Sequence, residues 1–246
     1  ASALAWFAGQ GPGRVRQLAL SYDTSAGNVE RPAVQLLVSG RDPSVPTAFL
    51  EAAGRPDLRD AYRRFVRAMP PEWYACYVGV FPGREAGGEA RWLRVECIVG
   101  EGCQRAYAAD AEALRAHLAA VGVGNLDEDL VSGVRRLARS PFPLELQFDV
   151  GADGAALPAL SASVRLQPGD WEGADGRAAI GELAGWLRER GLADGRCGLL
   201  PQTAFAKRVS QGGESVRVSC FPAFVKLRWR EGTPPDAKAY LMARVG

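Results

Sequence analysis

Residues 144–166, LELQFDVGADGAALPALSASVRL, decide how the rest of the chain is read. Leu144, Leu146, Phe148 and Val150 alternate with Glu145, Gln147 and Asp149. After the break GADGAALP, Leu160, Val164 and Leu166 alternate with Ser161, Ser163 and Arg165. Strand side chains point to opposite faces in turn, so two such runs around a glycine-rich turn form an antiparallel hairpin with one apolar and one polar face.

The same pattern recurs on both sides of this hairpin. RQLALSYD pairs with PAVQLLVSG, and WYACYVGVF pairs with ARWLRVECIVG, where Leu93, Val95, Cys97 and Val99 oppose Trp92, Arg94 and Glu96. In FVKLRWREGTPPDAKAYLMA, residues 224–243, Val225, Leu227 and Trp229 oppose Lys226, Arg228 and Arg230. Lys238, Tyr240 and Met242 then oppose Ala239, Leu241 and Ala243, and the turn is read at Pro234 and Pro235. SVRVSCF, just upstream, reads as a strand beyond these eight.

Between the hairpins the spacing becomes helical. Leu58, Tyr62, Phe65 and Met69 form one stripe; Leu114, Leu118 and Val121 a second; Leu130, Val134 and Leu137 a third; Ile180, Leu183 and Leu187 a fourth. NLDEDL supplies a cap and an acidic first turn for the third helix, and Gly191 ends the fourth. Units of helix, strand, strand and helix recur every ~70 residues, which predicts one α+β domain over 1–246 built by repetition.

Each helix must bury its stripe against the apolar strand faces, so the polar faces share the other side. Two architectures satisfy this: an open sheet with a wetted polar face, or an antiparallel β-barrel of about 8–10 strands with a polar lumen inside and helices outside. The aromatics Tyr77, Trp92 and Tyr240 and the serines on the polar face favour the lumen.

Composition narrows the partners. Thirty basic and 28 acidic residues leave a formal charge of +2, so no global field draws the chain to nucleic acid or anionic lipid. No apolar run reaches the ~18 residues of a membrane span, and no basic segment followed by an apolar one opens the chain, which reads as cytoplasmic. The five cysteines form no C-x-x-C pair and read as free thiols. His117, the one histidine, lies among apolar helix positions, so Ser-His-Asp catalysis and histidine metal sites lack their parts. Glycine-rich phosphate loops and an Asp-Asp-x-x-Asp magnesium motif are also missing from the sequence.

PDAKAYLMA, with its Lys-x-Tyr strand, and ARWLRVE and SASVRL, each with an arginine on the second strand of a hairpin, resemble the ABBA-fold aromatic and peptide prenyltransferases. The size is closest to the peptide-modifying, cyanobactin-type branch. The resemblance implies a barrel whose lumen moves an allylic isoprenoid, dimethylallyl or geranyl, from its diphosphate to an aromatic small molecule or a peptide side chain. It implies no tightly bound cofactor, with Mg²⁺ at most accompanying the diphosphate.

Such a donor carries about three negative charges, and ionisation moves more onto the leaving group, so fixed cations are required. Arg94, Arg165, Lys226, Arg228 and Lys238, with the Tyr240 hydroxyl, are the expected diphosphate ligands; Arg230, at the strand end, is expected to be solvated. Tyr77 and Tyr240 would shield the allylic cation. Glu96 is the expected base for the acceptor proton, and Asp149 the second candidate. The simpler reading is cross-strand pairing of these cations with Glu96, Glu145 and Asp149. A non-catalytic module that binds a small anion or a peptide is the rival function.

Overall fold

The computed structural model describes residues 2–10, 15, 17–23, 28–81, 92–124, 127–167, 170, 173–211 and 214–245. The PGREAGGE connection and residues 125–126 lie outside this set. In chain order the elements are α1 (Ser2–Ala8), β1 (Gln17–Asp23), β2 (Asn28–Gly40), α2 (Ser44–Ala52), α3 (Arg59–Ala68), β3 (Trp73–Val80), β4 (Trp92–Val99), α4 (Glu101–Ala109) and α5 (Ala111–Ala120). Then follow α6 (Glu128–Ala138), β5 (Leu144–Gly151), β6 (Ala156–Arg165), α7 (Ala174–Glu189), β7 (Phe205–Gln211), β8 (Glu214–Arg230) and β9 (Thr233–Val245). Short 3₁₀ turns cover Pro56–Leu58 and Gly195–Gln202.

All nine strands belong to one curled antiparallel sheet in the order β1-β2-β3-β4-β5-β6-β8-β7, with β9 also on β8. The α+β class and the repeated hairpins follow the sequence reading. Among the described residues no pairing joins β1 to β9, so the observed sheet is a half-barrel.

The apolar faces meet the helices as their alternation requires. Leu93, Val95, Leu146, Phe148, Val164 and Leu227 are buried. Phe148 lies between Phe65 of α3 and Trp73 of β3, with ring centroids 5.3 and 5.8 Å away. Local chemistry fixes the helix ends. The Asp127 carboxylate caps α6 by accepting from the Leu130 amide at 2.6 Å, and Gly191, at φ +67°, closes α7 where other residues would be strained. Arg41 ties the end of α3 to β3: its guanidinium donates to the carbonyls of Val66, Met69 and Trp73 at 3.0 Å each, and to that of Pro70.

Several elements differ from the sequence reading. SVRVSCF and FVKLRWR form one 17-residue strand, β8, and Phe205–Gln211 adds a strand that was not expected. Spacing did not indicate α1, α2 or α4; α2 tolerates Pro46 because the first helical turn needs no amide there. The last hairpin turns at Glu231 and Gly232, where φ is +70°, and Pro234 and Pro235 lie inside β9. β9 has no second neighbour among the described residues, and an edge strand accommodates residues without an amide proton. Leu241, expected against a helix, is instead 54% exposed; it pairs with Pro222 on an edge strand, at a register irregularity between Pro222 and Phe224 that interrupts the regular alternation.

Candidate polar-face site

Cross-strand register places the sequence-predicted residues on one face. Tyr77, Glu96, Gln147, Ser161, Arg228 and Asp236 form one row, each opposite the next. The adjacent row runs Glu145, Ser163, Lys226, Lys238, and the one beyond it Arg165, Phe224, Tyr240. Gly79, Arg94 and Asp149 lie level on β3, β4 and β5. Directly opposed residues share a face, so the last three hairpins bring every predicted side chain to the same side of the sheet.

The cations on this face fall into two groups. Arg94 is bidentate to Asp149, with Nε donating to Oδ1 at 2.7 Å and Nη2 to Oδ2 at 2.9 Å, and its guanidinium lies over the rings of Phe81 and Trp92. Arg228 is bidentate to Asp236, with Nε 2.6 Å from Oδ1 and a second bond from Nη2 to Oδ2. Those bonds raise the Arg228 pKa and hold the Asp236 carboxyl below its usual range. Parallel, fork-shaped bonds of this kind neutralise both partners and fix them in place.

The second group is Arg165, Lys226 and Lys238. Lys226 donates to Gln147 Oε1 at 2.6 Å and lies 3.7 Å from Glu96 Oε1 and 5.9 Å from the Tyr240 ring centroid. Arg165 Nε is 2.6 Å from Glu145 Oε1, an approach without hydrogen-bond alignment, and its guanidinium lies over the Phe224 ring. Lys238 is exposed and makes no ion pair or hydrogen bond among the described residues. It lies directly opposite Lys226, an arrangement of like charges that is unfavourable on its own. No family model, curated protein or solved structure matches the chain.

Burial separates this face from a plainly wetted sheet. Glu145 is 0% exposed, Ser163 1% and Gln147 8%, although all three point away from the helices. Burial raises the Glu145 pKa, and the Glu96 charge adds to the rise while Arg165 and Lys226 oppose it. Burial likewise raises the Tyr77 hydroxyl, partly offset by Arg165. Glu96 is 13% exposed, the more accessible of the two glutamates. Tyr240 is 46% exposed, less enclosed than a shielding aromatic needs to be.

Sequence reasoning missed Asp236 as the partner of Arg228, and treated Glu145 only as an ion-pair partner. Asp236 follows the two prolines, and its role depends on where the hairpin turns. His117 is outside this face: its Nδ1 lies 2.5 Å from the Tyr107 hydroxyl, which accepts from the Trp73 indole at 2.9 Å. A groove of about 930 Å³ beside Tyr74, Gln104, Ser140 and Phe142 and another of about 310 Å³ beside Trp229 and Arg230 also lie outside the Arg165, Lys226 and Lys238 cluster.

Proposed function

We propose that the polar face binds an anionic diphosphate inside the curl of the sheet and that the chain is an ABBA-type prenyltransferase. The observation that carries this reading is Lys226 directly opposite Lys238, with Arg165 in the next row and none of the three neutralised by a bidentate carboxylate. Directly opposed like charges cost stability even when a carboxylate lies nearby, and a phosphate group bridging them removes that cost while gaining charge-assisted hydrogen bonds. Arg94 and Arg228, already occupied by Asp149 and Asp236, are then the framework of the site.

In this reading Arg165, Lys226 and Lys238 stabilise the departing diphosphate, and the Tyr77 ring faces the allylic cation. Glu96 takes the acceptor proton, because Asp149 is held by Arg94. A closed lumen would complete the exclusion of water, and the burial of Glu145, Gln147 and Ser163 supports it. The test is incubation with dimethylallyl or geranyl diphosphate and a panel of aromatic metabolites and Tyr- or Trp-containing peptides. Pyrophosphate release and an acceptor mass gain, both lost in Glu96→Gln, support the enzyme; ligand-induced stabilisation without turnover rejects it. That second outcome identifies a non-catalytic anion-binding module, a reading favoured by the unclosed strand path.

A further inference from the structure

Glu145 is the anomaly of the polar face. It is fully buried; Arg165 Nε approaches its Oε1 to 2.6 Å without hydrogen-bond alignment, and the neighbouring Glu96 carboxyl is the hydrogen-bond partner that can accept a proton held on Glu145. The titratable groups acting with it come from every neighbouring strand: Cys76 and Tyr77 of β3, Glu96 and Cys97 of β4, Arg165 of β6 and Lys226 of β8. Two glutamates on adjacent strands thus share Lys226, while Arg165 lies beside Glu145. Lys226 lies beside the more exposed of them, Glu96, and also bonds Gln147. A buried carboxyl beside a second one relieves the conflict by keeping its proton.

We propose that Glu145 is a positioning residue that stays protonated at neutral pH, packs against Arg165 Nε without cancelling its charge, and leaves the guanidinium charge available to a bound anion. This rests on the anion-site reading of the polar face. Ionisation of Glu145 would cancel the Arg165 charge and weaken the anion's hold. Burial and the Glu96 charge push the Glu145 carboxyl up to about 8, which places that loss just above neutral pH. The Arg165 side chain keeps 22% exposure while Nε itself is enclosed, so the outer end of the guanidinium still faces the ligand side.

The test uses methanedisulfonate, whose own charge does not change near neutral pH, titrated calorimetrically into the parent protein and Glu145→Gln. If one proton on Glu145 is required, parent affinity falls about tenfold from pH 7 to pH 9 while the variant stays flat. In parallel, infrared spectra of the parent should lose a carboxylic-acid carbonyl band over the same interval, a readout that needs no variant to fold. Equal pH slopes in parent and variant, or no such band at pH 7, overturn the role of Glu145 and leave the anion site intact. No binding by the parent at any pH overturns the anion site itself, and the role of Glu145 with it.

Discussion

Replacing Lys238 by methionine should make the free protein more stable and the anion complex weaker, two effects of opposite sign from one side chain. Lys238 faces Lys226 across the β8–β9 ladder, and directly opposed like charges cost roughly 0.2–1 kcal/mol. Lys238 is exposed, so solvent screening puts the expected gain in the lower half of that range, and added salt should erase it. Asp236 loses a neighbouring cation at the same time, but its bidentate pairing with Arg228 limits that loss. Methionine keeps most of the aliphatic stem, so packing changes little. In the complex, one charge-assisted hydrogen bond is worth about 1.5–3 kcal/mol, which weakens pyrophosphate binding by about tenfold to a hundredfold. Urea unfolding at low and high salt measures the first effect and isothermal titration the second. Unchanged affinity together with unchanged or lower stability would refute the reasoning, leaving Lys238 a solvated edge residue.

Three further substitutions test the frame of the site. Because folding raises the Glu145 carboxyl from 4.5 to about 8, the native state holds its proton longer than the unfolded chain, so parent stability should fall as pH rises through that window, by at most about 5 kcal/mol; Glu145→Gln should remove most of the slope, and parallel urea midpoints from pH 5 to pH 8.5 would count against it. Gly133→Ala gains roughly 1 kcal/mol of helix propensity, but its new methyl overlaps the buried Trp229 ring, and overpacking costs about 1–3 kcal/mol, so thermal unfolding should show net destabilisation; a more stable variant would mean that α6 shifts freely on β8. Arg41→Met strips the carbonyls of Val66, Met69, Pro70 and Trp73 of their shared donor and should cost about 2–4 kcal/mol in urea unfolding, whereas a loss near zero would show that water replaces the guanidinium.

The sequence was most legible where one strand face is buried. β4, β5 and β6 alternate because their apolar residues meet helices, and that alternation alone places Arg94, Glu96, Asp149 and Arg165 on the polar side. β7 was not legible because Phe205 and Val209 are exposed, so no burial constraint shapes its pattern; SVRVSCF did read as a strand, but not its continuity with FVKLRWR. The Pro-Pro dipeptide misdirected the turn. Gly232 supplies the positive φ instead, and the resulting register sets Arg228 opposite Asp236 and Lys226 opposite Lys238. The isolation of Glu145 could not be read from its position, because it depends on side chains contributed by β4, β6 and β8. Polar-face membership is a local property of alternation, whereas pairing and proton occupancy are set by register between distant segments.

The strand order also has a kinetic consequence. From β1 to β6 each strand pairs with its immediate predecessor, so that part of the sheet can grow by adding nearby segments. β8 breaks the sequence: it reaches β6 only after α7, the Gly195–Gln202 turns and β7 have intervened. Closing so long a loop has an entropic cost before any contact rewards it, and such non-local pairings slow folding. Lys226, Arg228 and Lys238 all arrive through that closure, so the cationic cluster should assemble in the last phase of folding, after the helix-covered hairpins are in place.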